Sequence, residues 1–546
     1  KGCDNRCLVV RYSFDNGHEY YSGNRCERVF SNGGHDRSGK GVNAYNKKNE
    51  LLFNRDWPGG EPLMTIGIPR CLNMYEDYPF WHTLFTACGI KVVLSAPSRF
   101  AAYEHSACMV MSDNICFPAK LVHSHIQNLK DCGVDRIFMP FVVYGRLEAG
   151  QNSYNCPIVT GYAEVVKSVQ GDGIPVDSPT VSFKDRKLLF RQCCEYLATL
   201  GIDKDTAGRA FAMAVGEQDA YEHDIAAYDE RLYREASAGG QLTILLAGRP
   251  YHTDMLIQHK VSDMLVDMGI CVVTDDIVRG RHVSIAADAH YLSQWAYPNR
   301  ILEAAKWSAG RSDMEFVEMT SFGCGPDAFL TDEVRDLLAR HGKVLTLLKL
   351  DDINNVGSMK LRVRSLIESL RLASGGKKQV VQEFKTTPVY DKACRGRKII
   401  VPYFTPFISP LIPAVMKIAG YDVDNLPLSD ARSCEWGLKY ANNEVCYPAT
   451  LIVGDIIKAF RSGRYDPSST AVAMTQTGGQ CRASSYVPLI KKALVDAGYG
   501  EVPVVALALG GDTENNQPGF SVNWTKLLPV ALDAVLYSDS IAKMYY

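Results

Sequence analysis

A four-residue phrase of cysteine, aromatic residue, proline and alanine occurs twice in the chain. It reads Cys-Phe-Pro-Ala at 116–119 and Cys-Tyr-Pro-Ala at 446–449, and an amphipathic stretch follows each copy. Proline is favoured in the first turn of a helix because the N–H group that it lacks has no partner there. The phrase therefore predicts that Cys116 and Cys446 lie at helix N-termini, where free amide N–H groups and the helix dipole stabilise a thiolate. Such a thiolate could hold a metal or an anionic cluster.

Each copy of the phrase also has a strand-like run before it and a second cysteine after it. The runs are residues 64–69 and 398–403. Cys156 follows the first copy's cysteine by 40 residues, and Cys481 follows the second copy's cysteine by 35. The same order of strand, helix-starting cysteine and second cysteine predicts that the two regions are structural repeats.

A third candidate ligand for the first site is Cys324, which stands between glycines in the run Ser-Phe-Gly-Cys-Gly at 321–325. Cys116, Cys156 and Cys324 all adjoin proline or glycine where strands should end and helices begin. Open α/β sheets bind ligands at those carboxyl ends of their strands. Three thiolates there would hold one iron–sulfur cubane and leave one iron open to water or substrate. A zinc-stabilised structural site is the alternative, although closely spaced C-x₂-C knuckles are absent.

The second copy supplies two ligands of a further site by the same argument. Cys446 and Cys481 are these two residues, and the sequence does not identify the third. Cys434, Cys394 or a residue beyond the end of the chain are the candidates.

Two glycines, Gly478 and Gly479, come shortly before Cys481. Glycine would let backbone N–H groups approach the sulfur atoms of a bound cluster, and such hydrogen bonds tune the reduction potential. We therefore predict that both glycines contact the cofactor, with an ordinary glycine-rich turn as the alternative.

The first 61 residues form a polar segment that is rich in glycine, asparagine and arginine and has no long apolar period. Three cysteines, Cys3, Cys7 and Cys26, are the natural means of ordering such a segment. We predict that they form a separate metal or cluster site, whose fourth ligand comes from elsewhere or is open.

The turn Gly-Arg-Pro-Tyr-His at 248–252 follows a predicted strand. Its His252 is a candidate proton donor, together with His123 and His125, although a helical histidine is more often a core or surface residue. The turn does not have the G-x-G-x-x-G spacing of a dinucleotide site, and the chain has no Walker A sequence. ATP hydrolysis through a P-loop is therefore not expected of the chain itself.

The composition is that of a globular protein in a reducing compartment. The chain has 546 residues, 46% of them hydrophobic and 22% charged, and a formal net charge of −2. This balance gives no basic surface for nucleic acid, and no apolar run is long enough for a membrane span. Seventeen cysteines without a secretory signal predict metal ligation in the cytoplasm rather than a disulfide framework.

The alternation of apolar runs and helical patterns predicts an α/β protein of three repeated parallel-sheet, flavodoxin-like units. The first unit should contain strands at 64–68, 91–95 and 136–143, and a helical connector should follow it. The expected divisions are a cysteine-containing N-terminal segment, a first α/β unit, the connector, a second α/β unit and a third, at 1–61, 62–183, 184–240, 241–375 and 376–546.

Several longer phrases resemble the activase-related proteins of the 2-hydroxyacyl-CoA dehydratase system. They extend over nearly the whole chain and are long enough to be specific. Besides the two cysteine phrases they are Gly-Asn-Arg-Cys-Glu, Gly-Ile-Pro-Arg, Asn-Met-Tyr-Glu, Tyr-Pro-Phe-Trp, Ser-Phe-Gly-Cys-Gly and Gln-Thr-Gly-Gly, at 23–27, 67–70, 73–76, 78–81, 321–325 and 476–479. The chain, which does not begin with methionine, resembles an internal segment of such a protein.

The resemblance implies an oxygen-sensitive protein that carries a 4Fe-4S or double-cubane iron–sulfur cluster. In this superfamily an ATP-driven activator passes a low-potential electron to a dehydratase, which makes a ketyl radical from an acyl-CoA, while double-cubane relatives reduce small molecules. The ligands implied are the cysteines on the family's phrases, namely Cys116, Cys156, Cys324, Cys446 and Cys481.

The resemblance also sets the expected function and partners. We expect an iron–sulfur reductase or dehydratase-like component that acts on a small molecule or an acyl-CoA. Its partner would be an activator ATPase domain, in the same parent chain or in a separate subunit, and a homodimer is a further possibility. A non-catalytic electron relay or cluster scaffold is the alternative from another functional class. No catalytic residue is assigned.

Overall fold

Short apolar runs bounded by glycine, proline or polar residues form most strands of the described residues, and the inner strands of the sheets are mostly buried. The computed structural model describes residues 8–15, 19–23, 41–146, 152–170, 173–285, 287–290, 294–352, 356–372, 381–476, 479–507 and 515–546. The chain divides into two units. Unit 1 consists of residues 1–285, 293–324 and 334–381, and unit 2 consists of residues 286–292, 325–333 and 382–546.

Unit 1 begins with a small antiparallel hairpin and a capped helix. The hairpin pairs β1 (Val10–Ser13) with β2 (Glu19–Ser22), and Val10 lies opposite Ser22. Helix α1 (Ala44–Phe53) follows, and the side chain of Asn43 caps it by accepting a hydrogen bond from the N–H group of Tyr45.

The first sheet of unit 1 has four parallel strands. The strands of this region are β3 (Thr65–Ile68), β4 (Lys91–Leu94), β5 (Arg136–Phe138), β6 (Phe141–Tyr144), β7 (Val176–Asp177) and β8 (Thr180–Ser182). The first sheet has the order β4-β3-β5-β7, and β6 pairs with β8 in a separate two-stranded parallel sheet. Its helices are α2 (Met74–Thr86), α3 (Phe100–Ser106), α4 (Phe117–Lys120), α5 (Val122–Asp131) and α6 (Pro157–Gln170).

One strand prediction is wrong in this region. Residues 136–143 do not form one strand, because the ladder stops after Phe138 and resumes at Phe141 in another sheet. Pro140 lies at the break, and proline has no N–H group to donate to a ladder.

Two helices form the predicted connector. They are α7 (Arg186–Thr199) and α8 (Lys204–Ala238), each capped by an aspartate side chain. Residues such as Tyr221 and Ile225 bury one face of α8. The prediction of a helical connector is therefore confirmed.

The second sheet of unit 1 repeats the strand order of the first. Its strands are β9 (Thr243–Ala247), β10 (Cys271–Thr274), β11 (Met314–Ser321) and β12 (Thr346–Leu350), in the order β10-β9-β11-β12 and all parallel. The helices here are α9 (Val261–Asp267), α10 (Ala296–Ala309), α11 (Gly325–Arg340) and α12 (Val356–Leu372), although residues 325–333 of α11 belong to unit 2.

Unit 2 contains the third sheet. Its parallel strands are β13 (Lys398–Val401), β14 (Val423–Asn425), β15 (Thr470–Thr475) and β16 (Val504–Leu507), in the order β14-β13-β15-β16. The helices are α13 (Ile412–Ile418), α14 (Ala431–Tyr440), α15 (Tyr447–Arg461), α16 (Tyr486–Asp496) and α17 (Trp524–Tyr545).

All three four-stranded sheets thus place their second strand at one edge, followed by the first, third and fourth. The direction of winding reverses between the first and third strands, and ligands of doubly wound sheets bind outside the carboxyl ends of the strands at that point. The prediction of an α/β fold with repeated parallel sheets is confirmed, and the domain divisions drawn from the sequence stay predictions. Every helix in the described part of the chain is too short or too polar to cross a membrane.

Candidate functional site

The two repeated cysteines lie at equivalent helix starts. Cys116 is the N-cap residue of α4, with φ −63° and ψ 147°, and Cys446 is the N-cap residue of α15, with φ −62° and ψ 142°. Each helix precedes the third strand of its sheet and has proline in its first turn. The predicted helix positions of both cysteines are confirmed.

The other three cysteines of the predicted sites also precede helical turns. Cys324 is the N-cap residue of α11, and Cys156 comes directly before α6, where the N–H group of Val159 lies 3.4 Å from its Sγ atom. Cys481 begins the short 3₁₀ turn Arg482–Ser485. Amide N–H groups at helix starts favour negative charge on a nearby sulfur atom.

Three of these thiols converge on one tyrosine of unit 1. Burial raises the pKa of Tyr251, the positive charge of Arg249 lowers it, and the sulfur atoms of Cys324, Cys156 and Cys116 raise it further. All three thiols therefore lie near enough to Tyr251 for their charge to act on its hydroxyl group. Each sulfur comes from a different loop, so the fold brings together residues that are far apart in the sequence.

Two of the loops also approach each other directly. A methyl group on Gly323 would lie 4.0 Å from the carbonyl oxygen of Asn114, so the loop of Cys324 lies against the loop of Cys116. Gly323 has a φ of +75°, a conformation that glycine adopts without strain.

A buried arginine completes this group of side chains. Arg249 follows the carboxyl end of β9, and its Nη2 atom lies 3.6 Å from the Sγ atom of Cys324. Its positive charge also lowers the pKa of Cys116. The guanidinium group can therefore offset negative charge that gathers at these sulfur atoms.

His252 holds the loop that carries Arg249 and Tyr251. Its Nδ1 atom accepts a hydrogen bond of 3.1 Å from the N–H group of Arg249, and its Nε2 atom lies 3.0 Å from Ser321 Oγ. A methyl group on Gly248 would lie 2.5 Å from Nδ1, so only glycine fits there. Since Nδ1 accepts, Nε2 carries the proton, and the buried imidazole links the ends of the first and third strands of the second sheet.

Burial opposes the expected thiolate character of Cys116. Burial and the neighbouring Cys156 raise its pKa to about 11, although the N–H group of Ala119 and the charge of Arg249 act in the opposite direction. The sequence argument counted the helix start and omitted desolvation, which is larger. Binding of a metal or cluster would have to displace this proton.

In unit 2, Cys446 and Cys481 also meet at a tyrosine. The Sγ atom of Cys446 lies 2.9 Å from Tyr486 Oη. Burial, this hydrogen bond and the nearby sulfur of Cys481 all raise the pKa of Tyr486. Cys481 is exposed and Cys446 is half-buried.

Unit 1 has a tyrosine in the corresponding position. Tyr162 lies in α6, six residues after Cys156, as Tyr486 lies five residues after Cys481. Burial and the sulfur of Cys116 raise its pKa to about 12, and its hydroxyl group lies 3.0 Å from His123 Nε2. The sequence analysis missed both tyrosines, although their similar spacing from the second cysteine was a usable signal.

The sequence analysis also missed a third, altered copy of the cysteine phrase. Helix α10 begins with Ala-Tyr-Pro at 296–298, and it precedes the third strand of the second sheet as the other two copies precede theirs. In the sequence of the phrase Ala296 replaces the cysteine, although Trp295 is the N-cap residue of α10 and Ala296 is its first helical residue. Tyr297 and Asn299 line a small polar cleft there, and the pKa of Tyr297 is raised by burial, Asp77 and Glu76, and also by the sulfur of Cys156.

A buried ion network joins the helices beside the two sheets of unit 1. Glu76 of α2 pairs with Arg279 and with Arg300 of α10, at 2.9 Å for Arg300, while Asp276 pairs with Arg279 and Lys48, each at 2.6 Å. Burial acts to raise the pKa of Glu76, but the two guanidinium groups more than offset it and hold the pKa at about 2. Glu76 is therefore a charged structural contact.

The remaining predicted site residues fall into two cases. Cys3, Cys7, Cys26 and Gly478 lie outside the described residues, so their predicted roles are unchanged. Gly479 is described and has a φ of +66°.

The two candidates for a third ligand in unit 2 differ in position. Cys394 lies in the turn before β13, at the amino edge of the sheet and away from Cys446, so it does not suit that role. Cys434 lies in the first turns of α14 and hydrogen-bonds to the hydroxyl group of Tyr447, which raises the pKa of that tyrosine.

No three His, Cys, Asp or Glu side chains among the described residues are grouped so that they could hold a single metal ion. A cubane does not require such a group, because each of its thiolates binds a different iron atom. The ligand roles of Cys116, Cys156, Cys324, Cys446 and Cys481 therefore stay predictions.

The solved structures that the chain matches include three at 9–11% identity. Glucosamine-6-phosphate deaminase from Thermotoga maritima is 10% identical over 62% of this chain and 98% of that one, with a TM-score of 0.16. The C-terminal domain of glucosamine-fructose-6-phosphate aminotransferase from Francisella tularensis is 9% identical over 62% and 97%, with a TM-score of 0.17. A C2-type ketoreductase of a modular polyketide synthase is 11% identical over 87% and 95%, with a TM-score of 0.16. Scores this low support no conclusion about fold or function.

A comparison with curated proteins finds no match. Residues 65–278 match a family described as the CoA enzyme activase uncharacterised domain. The match begins at the first strand of the first sheet and ends beyond β10, so it contains Cys116, Cys156 and the loop of Arg249 and Tyr251. This region, which is less than half of the chain, is similar to that CoA enzyme activase family.

Proposed function

We propose that unit 1 is an iron–sulfur redox component of an acyl-CoA dehydratase or reductase system. The observation that carries this proposal is the convergence of Cys116, Cys156 and Cys324 on Tyr251, with Arg249 beside Cys324. Three thiols at helix starts, next to a fixed positive charge, form a site suited to an anionic cluster.

The residues fit an iron–sulfur cluster in number, type and charge. Three cysteines leave one iron without a protein ligand, which is the arrangement expected where a substrate binds. When bound, such a cluster supplies one-electron chemistry at low potential. Arg249 offsets part of its charge, and Tyr251 presents a hydroxyl group that can donate a hydrogen bond to a sulfur atom or to a bound carbonyl oxygen.

His252 and Ser321 have a positioning role in this proposal. Their hydrogen bond fixes the ends of β9 and β11, which carry Arg249 and Cys324. A site held by the backbone of two adjacent strands keeps its geometry when its charge changes, and so lowers the cost of electron transfer.

The source of electrons in this proposal is an ATP-hydrolysing activator, in the same parent chain or in a separate subunit. The relation to the CoA enzyme activases supports such a partner and supports an acyl-CoA as the substrate class. Phe322, next to Cys324, is exposed and gives the neighbouring surface an apolar residue suited to protein contact.

The test is anaerobic reconstitution of the Cys324→Ala variant with iron and sulfide. We expect it to lose the iron and sulfide of one cluster, about four of each per chain, together with the matching EPR signal. The matched control is Cys88→Ala, because Cys88 is a buried residue of the hydrophobic core of unit 1 and should not affect iron binding. Unchanged iron content and EPR signal in Cys324→Ala would refute the assignment.

A second measurement tests the reaction. The wild-type protein, mixed with an activator ATPase, ATP and a 2-hydroxyacyl-CoA, should turn over only under anaerobic conditions, and Cys324→Ala should not. A wild-type protein that holds a cluster and accepts electrons, but acts on no acyl-CoA or small molecule, would instead be an electron relay.

A further inference from the structure

A buried histidine and a buried tyrosine form a pair beside the proposed cluster site of unit 1. His123 lies on α5, seven residues and so about two helical turns after Cys116, and Tyr162 lies on α6, which starts directly after Cys156. Both side chains are almost completely excluded from water. His123 Nε2 lies 3.0 Å from Tyr162 Oη, and the two rings meet edge to face at 5.7 Å.

The surroundings of the imidazole determine the direction of this hydrogen bond. Burial lowers the pKa of His123, so the ring is neutral at neutral pH and has a single N–H group. Its Nδ1 atom is buried and has no hydrogen-bond partner in the part of the chain that the structure describes. Buried N–H groups without a partner are rarer in proteins than buried acceptors without one. The proton therefore lies on Nε2, which donates to Tyr162 Oη.

The proton of the Tyr162 hydroxyl group then needs an acceptor of its own. The contacts of the described residues include no second hydrogen bond of this hydroxyl group. Burial raises its pKa, and the sulfur atoms of Cys116 and Cys71 raise it further, so both sulfur atoms lie within electrostatic reach. Burial alone raises the pKa of the Cys71 thiol. Cys116, as a proposed ligand, is the one of the two that would become charged.

Unit 2 shows the corresponding tyrosine in contact with the corresponding sulfur. Tyr486 Oη lies 2.9 Å from Cys446 Sγ. The residue seven positions after Cys446 is Val453, which is buried and cannot form a hydrogen bond through its side chain. Both repeats thus place a tyrosine near their first cysteine, but only the repeat in unit 1 has a histidine that bonds to it.

We propose that His123 is a positioning residue, which orients the Tyr162 hydroxyl group to donate a hydrogen bond to the sulfur atoms of the cluster held at Cys116. Hydrogen bonds to cluster sulfur atoms stabilise the reduced, more negative state and so raise the reduction potential. Tyr162 therefore makes the cluster of unit 1 easier to reduce, and His123 acts through Tyr162. The inference rests on the proposed function, because the acceptor of the hydrogen bond is the cluster of that site.

The reduction potential of the unit 1 cluster tests the role of Tyr162. A Cys446→Ala/Cys481→Ala background removes the unit 2 ligands, and the EPR signal that Cys324→Ala abolishes in this background identifies the unit 1 cluster. The reconstituted protein is titrated anaerobically with titanium(III) citrate. At the midpoint potential of the background protein, Tyr162→Phe should lower the ratio of reduced to oxidised cluster about tenfold, which is a shift of about 59 mV to more negative potential for one electron.

The matched control is Tyr196→Phe. Tyr196 is another tyrosine of unit 1, and its hydroxyl group bonds to Asp177 at 2.8 Å rather than to a histidine. Its replacement should leave the potential unchanged. Urea denaturation of the same variants separates the proposed role from a structural one. A loss of stability in Tyr162→Phe without any shift in potential would mean that the pair is only a core contact.

Three further variants test whether His123 acts through Tyr162. His123→Val gives unit 1 the residue that unit 2 has at this position, and it should shift the potential in the same direction as Tyr162→Phe. The double variant should show no further shift, because the histidine has no effect once the hydroxyl group is absent. His123→Gln, whose amide N–H group can donate to the hydroxyl group, should restore part of the potential. Additive shifts would overturn the positioning role.

The metal-free protein gives a test that does not depend on a cluster. NMR of the histidine ring nitrogen atoms identifies which of the two carries the proton, and the signals of His123 are those lost in His123→Val. We expect the proton on Nε2. A proton on Nδ1 would make His123 the acceptor of the Tyr162 proton and would overturn the inference.

Failure of the inference and failure of the proposed function give different results. A unit 1 cluster that forms in Tyr162→Phe and keeps the potential of the background protein would refute the inference and leave the proposed function standing. Absence of any unit 1 cluster in the background protein and in the wild type would refute the proposed function, and with it the acceptor that the inference assigns to Tyr162.

Discussion

The first and second sheets of unit 1 have the same strand order but contribute different chemistry to the site. The first provides two thiols, Cys116 and Cys156. The second has Ala296 in place of the cysteine of the repeated phrase, with Trp295 at the N-cap, and it provides Cys324 together with Arg249 and Tyr251. Repetition of a fold has preserved the position of a helix start while its side chain has changed.

The difference shows that sheets with the same strand order can contribute different groups to one site. A helix start at the carboxyl edge of a parallel sheet can hold a thiolate, but it does not require one. In the second sheet the same helix, α10, instead carries Arg300, which pairs with Asp275 at 2.7 Å and with Glu76. In the proposed site, the first sheet would provide two thiolates, and the second would provide the third thiolate, the positive charge of Arg249 and the ion pairs that join the two sheets.

The largest expected effect comes from breaking the ion network between the two sheets. Glu76→Ala should lower the free energy of unfolding by about 3–5 kcal/mol, because it leaves two buried guanidinium groups without this carboxylate. Urea denaturation measures this value. The matched control is Glu217→Ala, since Glu217 pairs with Arg55 but is exposed, and should cost less than about 1 kcal/mol. Equal losses in both variants would show that the network does not join the sheets.

A buried acid on the same helix should give a pH-dependent effect. Burial and the neighbouring Glu76 raise the pKa of Asp77 to about 8, so the folded protein holds a proton that the unfolded chain releases near pH 4. Wild-type stability should therefore fall as the pH rises from about 4 to 8. Asp77→Asn removes this loss, and its advantage should grow by about 1.4 kcal/mol per pH unit, or about 3 kcal/mol between pH 5 and 7.

Denaturation at pH 4, 5, 6 and 7 measures the Asp77 effect. The control is Asp219→Asn, because Asp219 is an exposed partner of Arg146 and should show no such slope. A difference between Asp77→Asn and wild type that stays constant with pH would contradict the raised pKa.

The sequence predicted the helix starts because their causes are local. Proline after an aromatic residue and a cysteine identified the N-termini of α4 and α15, and both were found. Strands β3, β4 and β13 were predicted for the same reason, whereas Pro140 ended a ladder that the apolar pattern continued, and short strands such as β7 and β14 were not predicted.

The convergence of the site could not be predicted from the sequence. Arg249 and Tyr251 meet the three thiols only because two sheets face each other, and no local pattern encodes that contact. The raised pKa of Cys116 has the same origin, since it depends on how much of the tertiary structure excludes water from the sulfur atom.

A smaller effect is expected from removing a hydrogen bond that links the ends of two strands of the second sheet. Ser321→Ala removes the hydroxyl partner of His252 Nε2 and should lower the free energy of unfolding by about 1–3 kcal/mol, because the imidazole N–H group is buried. Ser321→Thr, which keeps a hydroxyl group, is the matched comparison. If both variants lose the same stability, the loss comes from packing and the hydrogen bond does not contribute.

The smallest expected effect is that of Tyr447→Ala, which extends the comparison to the third sheet. Tyr447 and Phe117 occupy the same position of the repeated phrase, but only Phe117 is covered. Phe117→Ala should cost about 3–5 kcal/mol, as for a buried aromatic residue. Tyr447→Ala should change the free energy of unfolding by less than about 0.5 kcal/mol, as for a surface residue. Urea denaturation of both variants tests the pair. A loss above about 1 kcal/mol in Tyr447→Ala would show that this chain already covers the third sheet, because an uncovered ring has few contacts to lose.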